Sequence, residues 1–356
     1  MYDLCQKSSN FVDQTQHLYI MKPFMSIVLI LIFIPFISCK KNPYRINLKG
    51  IEYEVAISRL EKELFDGDPG TLSERKNELI EEFGEFINLF GYVINIGDIE
   101  DEQWANHLVS FVTDKTNYEV YNSVIARYPD LSNIEQDLSQ AMRHFRYYFP
   151  EAEIPAFYSF ISGFNNSIVI GDSILAIGLD RYLGADSKYY PMLGIFNYMA
   201  KRMVPEKIIS DCMYALANTT WPVEENQEED NLLRSMLYEG KLIYFTRCML
   251  PEEADSVLFG FTADQMRFCK NNESHMWEYL IEHDLLFNSD PLLIRKLTGD
   301  APFTSYFSNE SPGKAAVWIA FRLIESFMKY NPDISLEGLM VINDYQKILE
   351  GARYSP

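Results

Sequence analysis

The stretch from Met21 to Cys39 constrains the chain most, because it decides which part of the sequence folds as a mature domain. Lys22 precedes a mainly apolar run over residues 24–36, and Ser-Cys closes the stretch at Cys39. A run of this length, with a charge in front and a small residue near its end, is typical of a secretory signal rather than a membrane span. Cysteine at the closing position predicts a lipoprotein signal that is cleaved before Cys39. The alternative is an uncleaved N-terminal anchor helix that ends in an incidental cysteine.

This signal sets the predicted domain organisation. Residues 1–20 are polar and lack the features of a signal, so we interpret them as an over-called start, with the signal peptide at 21–38. Residues 39–49 then form a lipid-anchored linker, and residues 50–356 form a single domain. Each buried methylene contributes about 0.8 kcal/mol, so two or more acyl chains such as palmitate on Cys39 hold such a domain at a membrane.

Charge and cysteine content exclude several classes of function. The formal net charge is −20, and nucleic-acid binding needs basic patches, so no nucleic-acid partner is expected. Beyond Cys5 and Cys39 the chain has Cys212, Cys248 and Cys269, which form no C-x-x-C pair for a zinc ribbon or a redox site. Cys212 and Cys248 lie in apolar stretches, which predicts buried free thiols.

Hydrophobic periodicity predicts an α+β fold that is mainly helical and contains a small sheet. A strand that begins near residue 51 precedes predicted helices at 73–90, 100–111, 117–128 and 131–148. Residues 155–164 and 167–179 are rich in β-branched and aromatic residues, and the turns between them predict a sheet built from hairpins. Residues 230–250 are apolar nearly all round, which predicts a central buried helix.

Glu239 is a carboxylate whose position on a predicted buried helix needs an explanation. It shares a helical face with apolar residues, so it must be paired, protonated or bound to a ligand. Pairing with Arg202, Arg247 or Arg322 is one alternative. The other is that Glu239 and Asp211, on the preceding helix, line a cleft, which is either vestigial or the centre of an atypical hydrolytic site.

Histidine spacing argues against an ordinary zinc centre. Such a site needs two histidines one helical turn apart, and no histidine lies between His144 and His275. His275 and Glu278 are spaced to share a metal, but their mixture with His283 is typical of a solvated helix face. We therefore assign no metal ligand, no cofactor and no catalytic residue.

The start of the last long helix is a candidate anion or interaction site. Ser311, Gly313 and Lys314 precede or begin a helix predicted over 314–330, with Ser311 as its cap. Exposed backbone N–H groups and the lysine both favour a negative charge there. A plain helix cap is the alternative.

Seven segments of the second half stand out by their order and spacing. They are IGLDRYLG at 177–184, KRMVPE at 201–206, LLRSMLYEGKLIYF at 232–245, NESHMWEYLIEHDLLF at 272–287, APFT at 301–304, NESPGKAAVWIAF at 309–321 and ARYSP at 352–356. Together they resemble the gliding-motility lipoprotein GldB family of Bacteroidetes. The similarity runs from about residue 45 to the C-terminus and is densest after residue 177.

The resemblance implies a zincin-like body related to exported zinc peptidases that has lost the histidine motif. It also implies a non-catalytic lipoprotein that faces the periplasm and binds other envelope proteins of the gliding machinery. Gliding and non-gliding bacteria both carry such proteins, so motility itself does not follow. Two further hypotheses are a metallopeptidase or other hydrolase with an atypical site around Glu239, and a lipoprotein that binds a small ligand.

Overall fold

The computed structural model describes residues 42–223 and 230–356. The expected over-called start at 1–20, the signal peptide at 21–38 and the lipidation site Cys39 lie outside these ranges. Residues 46–356 form one compact unit. Within the described ranges, no helix is long and apolar enough to cross a membrane.

A small mixed sheet lies at the centre of the first half of the chain. Its strands are β1 (Ile57–Arg59), β2 (Ala156–Phe160), β3 (Ile168–Gly171) and β4 (Ile174–Gly178). Among the described residues the strand order is β1-β2-β4-β3, with β1–β2 and β2–β4 parallel and β3–β4 antiparallel. The predicted small sheet is confirmed, but the prediction that it consists of hairpins is wrong for the two parallel pairings.

The central strand β4 has an antiparallel neighbour on one edge and a parallel neighbour on the other. Every residue of β4 is buried, as is typical of a central strand covered on both faces. The turn at Asp172 and Ser173 returns the chain antiparallel, so β3 and β4 pair along one edge of β4 and leave its other edge to β2. β2 fills that edge and runs parallel to β4, so the chain reverses direction between β2 and β3 and again between β3 and β4.

Side chains of a helix cover the outer edge of β1. The backbone N–H of Val55 donates to Ser139 Oγ at 2.8 Å, and that of Ile57 donates to Glu135 Oε1 at 2.9 Å. Unpaired N–H groups on an edge strand are open to association with other chains, so these bonds both satisfy and protect the edge.

Helices dominate the part of the chain that precedes β2. They are α1 (Leu60–Phe65), α2 (Lys76–Phe83), α3 (Glu85–Val93), α4 (Trp104–Thr113), α5 (Lys115–Arg127) and α6 (Ser132–Tyr148). The single helix predicted over 73–90 is divided at Gly84, whose φ of 54° belongs to the left-handed region that glycine tolerates. The apolar spacing continues across this break, so periodicity alone did not reveal it.

The second half is helical as well. Its helices are α7 (Tyr189–Met192), α8 (Asn197–Ala200), α9 (Ile208–Thr220), α10 (Leu232–Met249), α11 (Asp255–Phe259), α12 (Ala263–Asn271), α13 (Glu273–Glu282), α14 (Pro291–Thr298), α15 (Ala315–Tyr330), α16 (Leu336–Met340) and α17 (Tyr345–Ala352). Helix α10 is buried around nearly its whole circumference, which confirms the prediction of a central helix.

Helices α10 and α15 pack closely against each other at Gly240. A Cβ atom at this position would lie 2.9 Å from both the backbone carbonyl carbon and the Cβ of Ala320, a distance that real Cβ contacts do not reach. The interface therefore requires glycine on α10 and a small residue on α15. Glu239, the neighbour of Gly240, is held at a fixed position beside this contact.

All three cysteines of the described residues are buried free thiols. This confirms the prediction for Cys212 and Cys248. Burial raises the pKa of Cys248 and of Cys269 to about 12, so their reactive thiolate forms are scarce at neutral pH.

Asp180 ties the loop after β2 to the segment after β4. Its side chain is fully buried, and its Oδ2 accepts the backbone N–H groups of Ser162 at 3.0 Å and Phe164 at 2.6 Å. Gly163 and Phe164 both have a φ of 68°, so the N–H groups curve around the carboxylate as in other anion-binding nests. Burial raises the pKa of Asp180 to about 6, although these N–H groups oppose the rise.

This pKa predicts the effect of replacing Asp180 with asparagine. Between about pH 4 and pH 6 the folded wild type holds a proton that the unfolded chain has lost, so its free energy of unfolding falls as the pH rises. Asp180→Asn keeps an acceptor for the two N–H groups and removes this titration. Relative to wild type, the variant should gain about 3 kcal/mol between pH 4 and pH 7, measured by urea denaturation.

The exposed turn residue Asp172 supplies the control, since Asp172→Asn changes the same chemical group outside the core. A pH profile of Asp180→Asn that runs parallel to that of wild type would contradict the prediction.

Candidate functional site

An open cavity of about 590 Å³ lies beside the start of α15. We call it the Lys314 cleft. It is formed by four segments that the fold brings together: the α8 region, the loop between α11 and α12 with the start of α12, and the two segments that flank the 303–311 loop. Its lining residues are Phe196, Asn197, Tyr198, Lys201, Arg202, Gly260, Phe261, Thr262, Gln265, Asp300, Ala301, Pro302, Pro312, Gly313 and Lys314.

Thr304, rather than Ser311, caps α15. The backbone N–H of Ala315 donates to Thr304 Oγ1 at 3.1 Å, and this hydroxyl donates to the carbonyl of Pro312 at 2.8 Å. Ser311 is buried and accepts the backbone N–H of Thr304 at 3.0 Å. The predicted role of Ser311 as cap is therefore wrong, because the loop folds back and places Thr304 at the helix start.

Of the three residues predicted for an anion site, Gly313 and Lys314 line the cleft, whereas Ser311 is fixed behind it. Lys314 is the residue before α15 and has a φ of 49°, in the left-handed region. A Cβ atom at Gly313 would lie 2.1 Å from the carbonyl oxygen of Ala301, so this position also requires glycine. These backbone constraints hold the Lys314 side chain over the cleft.

One carboxylate oxygen bridges two cations on the floor of the cleft. Asp300 Oδ1 lies 2.6 Å from Arg202 Nη1 and 3.4 Å from Lys314 Nζ. Burial raises the pKa of Asp300, but Lys314 and Arg202 lower it by more, so its pKa lies below the usual value. Burial and the neighbouring Arg202 lower the pKa of Lys314, and Asp300 and Glu239 oppose this effect.

Glu239 lies close enough to Lys314 for their charges to interact, yet its hydrogen bond comes from a tyrosine. The Tyr214 hydroxyl donates to Glu239 Oε2 at 2.7 Å. Burial raises the pKa of Glu239, while the Tyr214 hydrogen bond and the charge of Lys314 lower it. Glu239 thus lies near Lys314 but is not among the residues that line the cleft.

The arginines proposed as partners of Glu239 pair with other carboxylates. Arg202 pairs with Asp300, Arg247 with Asp255 and Arg322 with Glu273. The expectation of an arginine partner is therefore wrong. A neutral hydroxyl can satisfy a carboxylate with less loss of hydration than a buried ion pair requires.

Asp211, in the first turn of α9, has partners from the residue before the helix and from the segment after β4. Lys207 Nζ lies 2.9 Å from Asp211 Oδ1, and the Tyr182 hydroxyl donates to Oδ2 at 3.0 Å. Lys207 lines a smaller cavity of about 270 Å³ that adjoins the Lys314 cleft and shares Arg202 with it. Asp211 and Glu239 thus lie on facing helices, and each is satisfied by a different tyrosine.

The histidines of α13 and its end have ordinary surroundings. The ring of His283 packs on that of Tyr279, with centroids 4.3 Å apart. Glu273, at the start of the helix, accepts hydrogen bonds from Arg322 and from the Tyr354 hydroxyl. Within residues 42–223 and 230–356, no three histidine, cysteine, aspartate or glutamate side chains are grouped so that they could hold a metal ion.

Three exposed apolar side chains lie in the segment that leads into the cleft. Phe196, before α8, lines the cleft and is 66% exposed. Met192 and Leu193, at the end of α7, precede it in the sequence and are 76% and 52% exposed. We call these three residues the apolar rim. The ring of Phe196 stacks on that of Tyr198, with centroids 5.9 Å apart and planes inclined by 13°. The stacking keeps Phe196 in position at the mouth of the cleft.

A family model described as gliding motility protein GldB matches residues 41–356. The chain belongs to the GldB family. Neither the curated proteins nor the solved structures yield a match. The matched range covers every residue of the Lys314 cleft.

Sequence reasoning about this GldB family member located Gly313, Lys314, Asp211 and Glu239 but missed Asp300 as their neighbour. Asp300 follows a Gly and precedes Ala-Pro, a context that indicates only a loop. Its proximity to Lys314 depends on the fold of residues 300–314, which no local pattern encodes.

Replacing Thr304 with valine should weaken the start of α15 in this GldB family member. Valine matches the shape of threonine but cannot accept the N–H of Ala315 or donate to Pro312. We expect the free energy of unfolding to fall by about 1–2 kcal/mol in chemical denaturation. Ser305→Ala, at an exposed neighbouring position, should stay close to wild type. Equal stability of both variants would mean that Thr304 does not hold the helix start.

Replacing Tyr214 with phenylalanine should raise the pKa of Glu239 further. The substitution removes a hydrogen bond that favours the charged carboxylate, and burial remains. The pKa is measurable by carbon NMR on protein labelled at glutamate carboxyl groups, with the Glu239 signal identified by its loss in Glu239→Gln. An unchanged pKa would show that the hydroxyl does not bond to Glu239 in solution.

Proposed function

We propose that this chain is a non-catalytic envelope lipoprotein that serves the gliding motility machinery and related envelope functions by binding another envelope protein. Membership of the GldB family supports the connection with gliding motility. The sequence from Lys22 to Cys39 supports a lipid anchor, which places the domain at a membrane. We further propose that the domain faces the periplasm.

The observation that carries the binding role is the exposed apolar rim beside the Lys314 cleft. Met192, Leu193 and Phe196 are all more than half exposed and lie within five residues of each other in the sequence. Grouped apolar side chains with an aromatic residue and a methionine are typical of the cores of protein–protein interfaces. A rim of this kind around a charged floor gives a partner both an apolar contact and a polar one.

The strong negative charge of the chain fits this role. A net charge of −20 repels anionic headgroups, so the domain stands away from the bilayer to which its anchor attaches. The same charge disfavours nucleic acid as a partner. The partners we propose are the membrane, through lipid on Cys39, and envelope proteins of the gliding machinery.

We also propose that the region around Asp211 and Glu239 is a vestige of a zincin-like peptidase site. The absence of an H-E-x-x-H motif from the sequence supports this view. Glu239 lies on a helix that follows the position where such a motif would stand. In this proposal the two carboxylates persist because tyrosines satisfy them, not because they act on a substrate.

A hydrolase is the second candidate, and one observation favours it. Burial raises the pKa of Glu239, as is common for carboxyl groups that act as general acids. In that case Glu239 would transfer a proton to or from a reacting group, and Asp211 would help to bind a water molecule or cation.

Variants of the chromosomal gene distinguish the two functions in the bacterium that carries it. Deletion should disturb envelope complexes or movement over a surface, and the wild-type gene should restore both. A binding protein should retain function with Glu239→Gln or Asp211→Asn, and should lose it with Phe196→Asp, which places a charge at the centre of the apolar rim. Val341→Asp is the matched control, because Val341 is 60% exposed and outside the cleft lining.

Each variant must reach the wild-type level in the membrane fraction for the comparison to count. Loss of function in Glu239→Gln with unchanged protein level and thermal stability would overturn the binding proposal in favour of the hydrolase. Full function of Phe196→Asp would show that the apolar rim is not the binding surface.

A further inference from the structure

The Lys314 cleft concentrates positive charge in a strongly acidic protein. Lys201, Arg202 and Lys314 line it together with one carboxylate, that of Asp300, whereas the whole chain has a net charge of −20. Lys207, in the adjoining cavity, is paired with Asp211 and adds no unpaired charge. A cleft whose walls carry one predominant sign of charge focuses the field and attracts the opposite charge.

Asp300 already occupies part of this site as an internal anion. A single oxygen, Oδ1, faces both Arg202 and Lys314. Guanidinium and ammonium groups offer several N–H donors each, so one oxygen leaves donors on both cations for a second carboxylate. The Asp300 side chain is 45% exposed, so the site is open to solvent and to a ligand.

The backbone holds the two cations ready for a ligand. Lys314 is fixed by its left-handed conformation and by the contact of Gly313 with Ala301. A Cβ atom at Gly260 would meet Arg202 Nε at 2.9 Å, so glycine at this position leaves room for the guanidinium. Side chains whose positions are fixed in advance lose less conformational entropy when a ligand binds.

The apolar residues at the cleft indicate that its ligand carries an apolar group next to its negative charge. Phe196 stands exposed at the mouth of the cleft, and Phe261, Pro302 and Pro312 line its interior together with the cations. An inorganic anion would use the cations alone. A peptide with an apolar side chain next to a carboxylate would use both.

We propose that the Lys314 cleft binds a carboxylate of a partner protein next to an apolar residue, and that this carboxylate shares Arg202 and Lys314 with Asp300. The inference rests on the binding function proposed above and names the chemistry of the partner segment. The carboxylate belongs either to an acidic side chain or to a chain terminus.

Short peptides distinguish these sources. One probe has a phenylalanine at a free C-terminus, a second is amidated and carries aspartate next to phenylalanine, and a third replaces that aspartate with asparagine. Binding to the full-length lipoprotein in a non-ionic detergent is measured by calorimetry at low ionic strength and pH 6, which favours the charged form of Lys314. At least one carboxylate probe should bind about tenfold more tightly than the asparagine peptide, and added salt should weaken it.

Substitutions in the floor of the cleft should act in opposite directions. Arg202→Gln should lower the affinity for the carboxylate probe by about tenfold, because it removes a charged donor. Asp300→Asn should raise this affinity, because it removes the charge that competes with the probe for Arg202 and Lys314. A purely structural role of Asp300 would not predict a gain in affinity. Arg267→Gln is the matched control, since Arg267 pairs with Asp264 at an exposed site outside the cleft lining.

Equal affinity for the aspartate and asparagine peptides with no affinity for the free terminus would overturn the proposal. So would weaker binding in Asp300→Asn, or displacement of the peptides by inorganic phosphate at lower concentration than by acetate. If the probes fail while Phe196→Asp still abolishes function in cells, the binding role stands and only the carboxylate chemistry is wrong.

Discussion

The contact between Gly240 and Ala320 is the constraint on which the rest of the site depends. It lets the central helix α10 lie against α15 without an intervening side chain. Glu239 is therefore placed near Lys314, the residue from which α15 starts. The dipeptide Glu239-Gly240 is similar to part of a peptidase site. In this fold, however, the glycine is required because a side chain at position 240 would collide with Ala320. The carboxylate beside it is a consequence of where the helices meet.

Tyrosine hydroxyls help to place carboxylates near this interface. Tyr214 donates to Glu239, and Tyr182 donates to Asp211, which also pairs with Lys207. For Glu239 the hydroxyl replaces a buried ion pair, which would require both partners to lose their hydration. Arg202 is therefore not bound to Glu239, and together with Lys314 it shares Asp300 in the cleft.

Sequence patterns predicted those parts of the fold that depend on local order. The spacing of apolar residues matches α6 to within one residue, and the apolar circumference of α10 matches its burial. The break at Gly84 was missed because the apolar spacing continues through it. The parallel pairing of β1 with β2 and the cap from Thr304 were missed because both join residues that lie apart in the sequence. The same limit hid Asp300, whose role exists only once the 300–314 segment has folded back.

The position of β1 has a mechanical consequence if the domain is held, as we propose, by a lipid anchor on its N-terminal side. A pull on the chain before residue 46 reaches the carbonyl of Ile51, which accepts a bond from Arg143 of α6 at 2.7 Å, before it reaches the N–H of Val55, which donates to Ser139 of the same helix. The bond from Ile57 to Glu135 and the pairing of β1 with β2 load after these. Tension would therefore spread into the sheet and α6 together before it reached the helices that form the Lys314 cleft. A partner held in that cleft would be insulated from force on the tether.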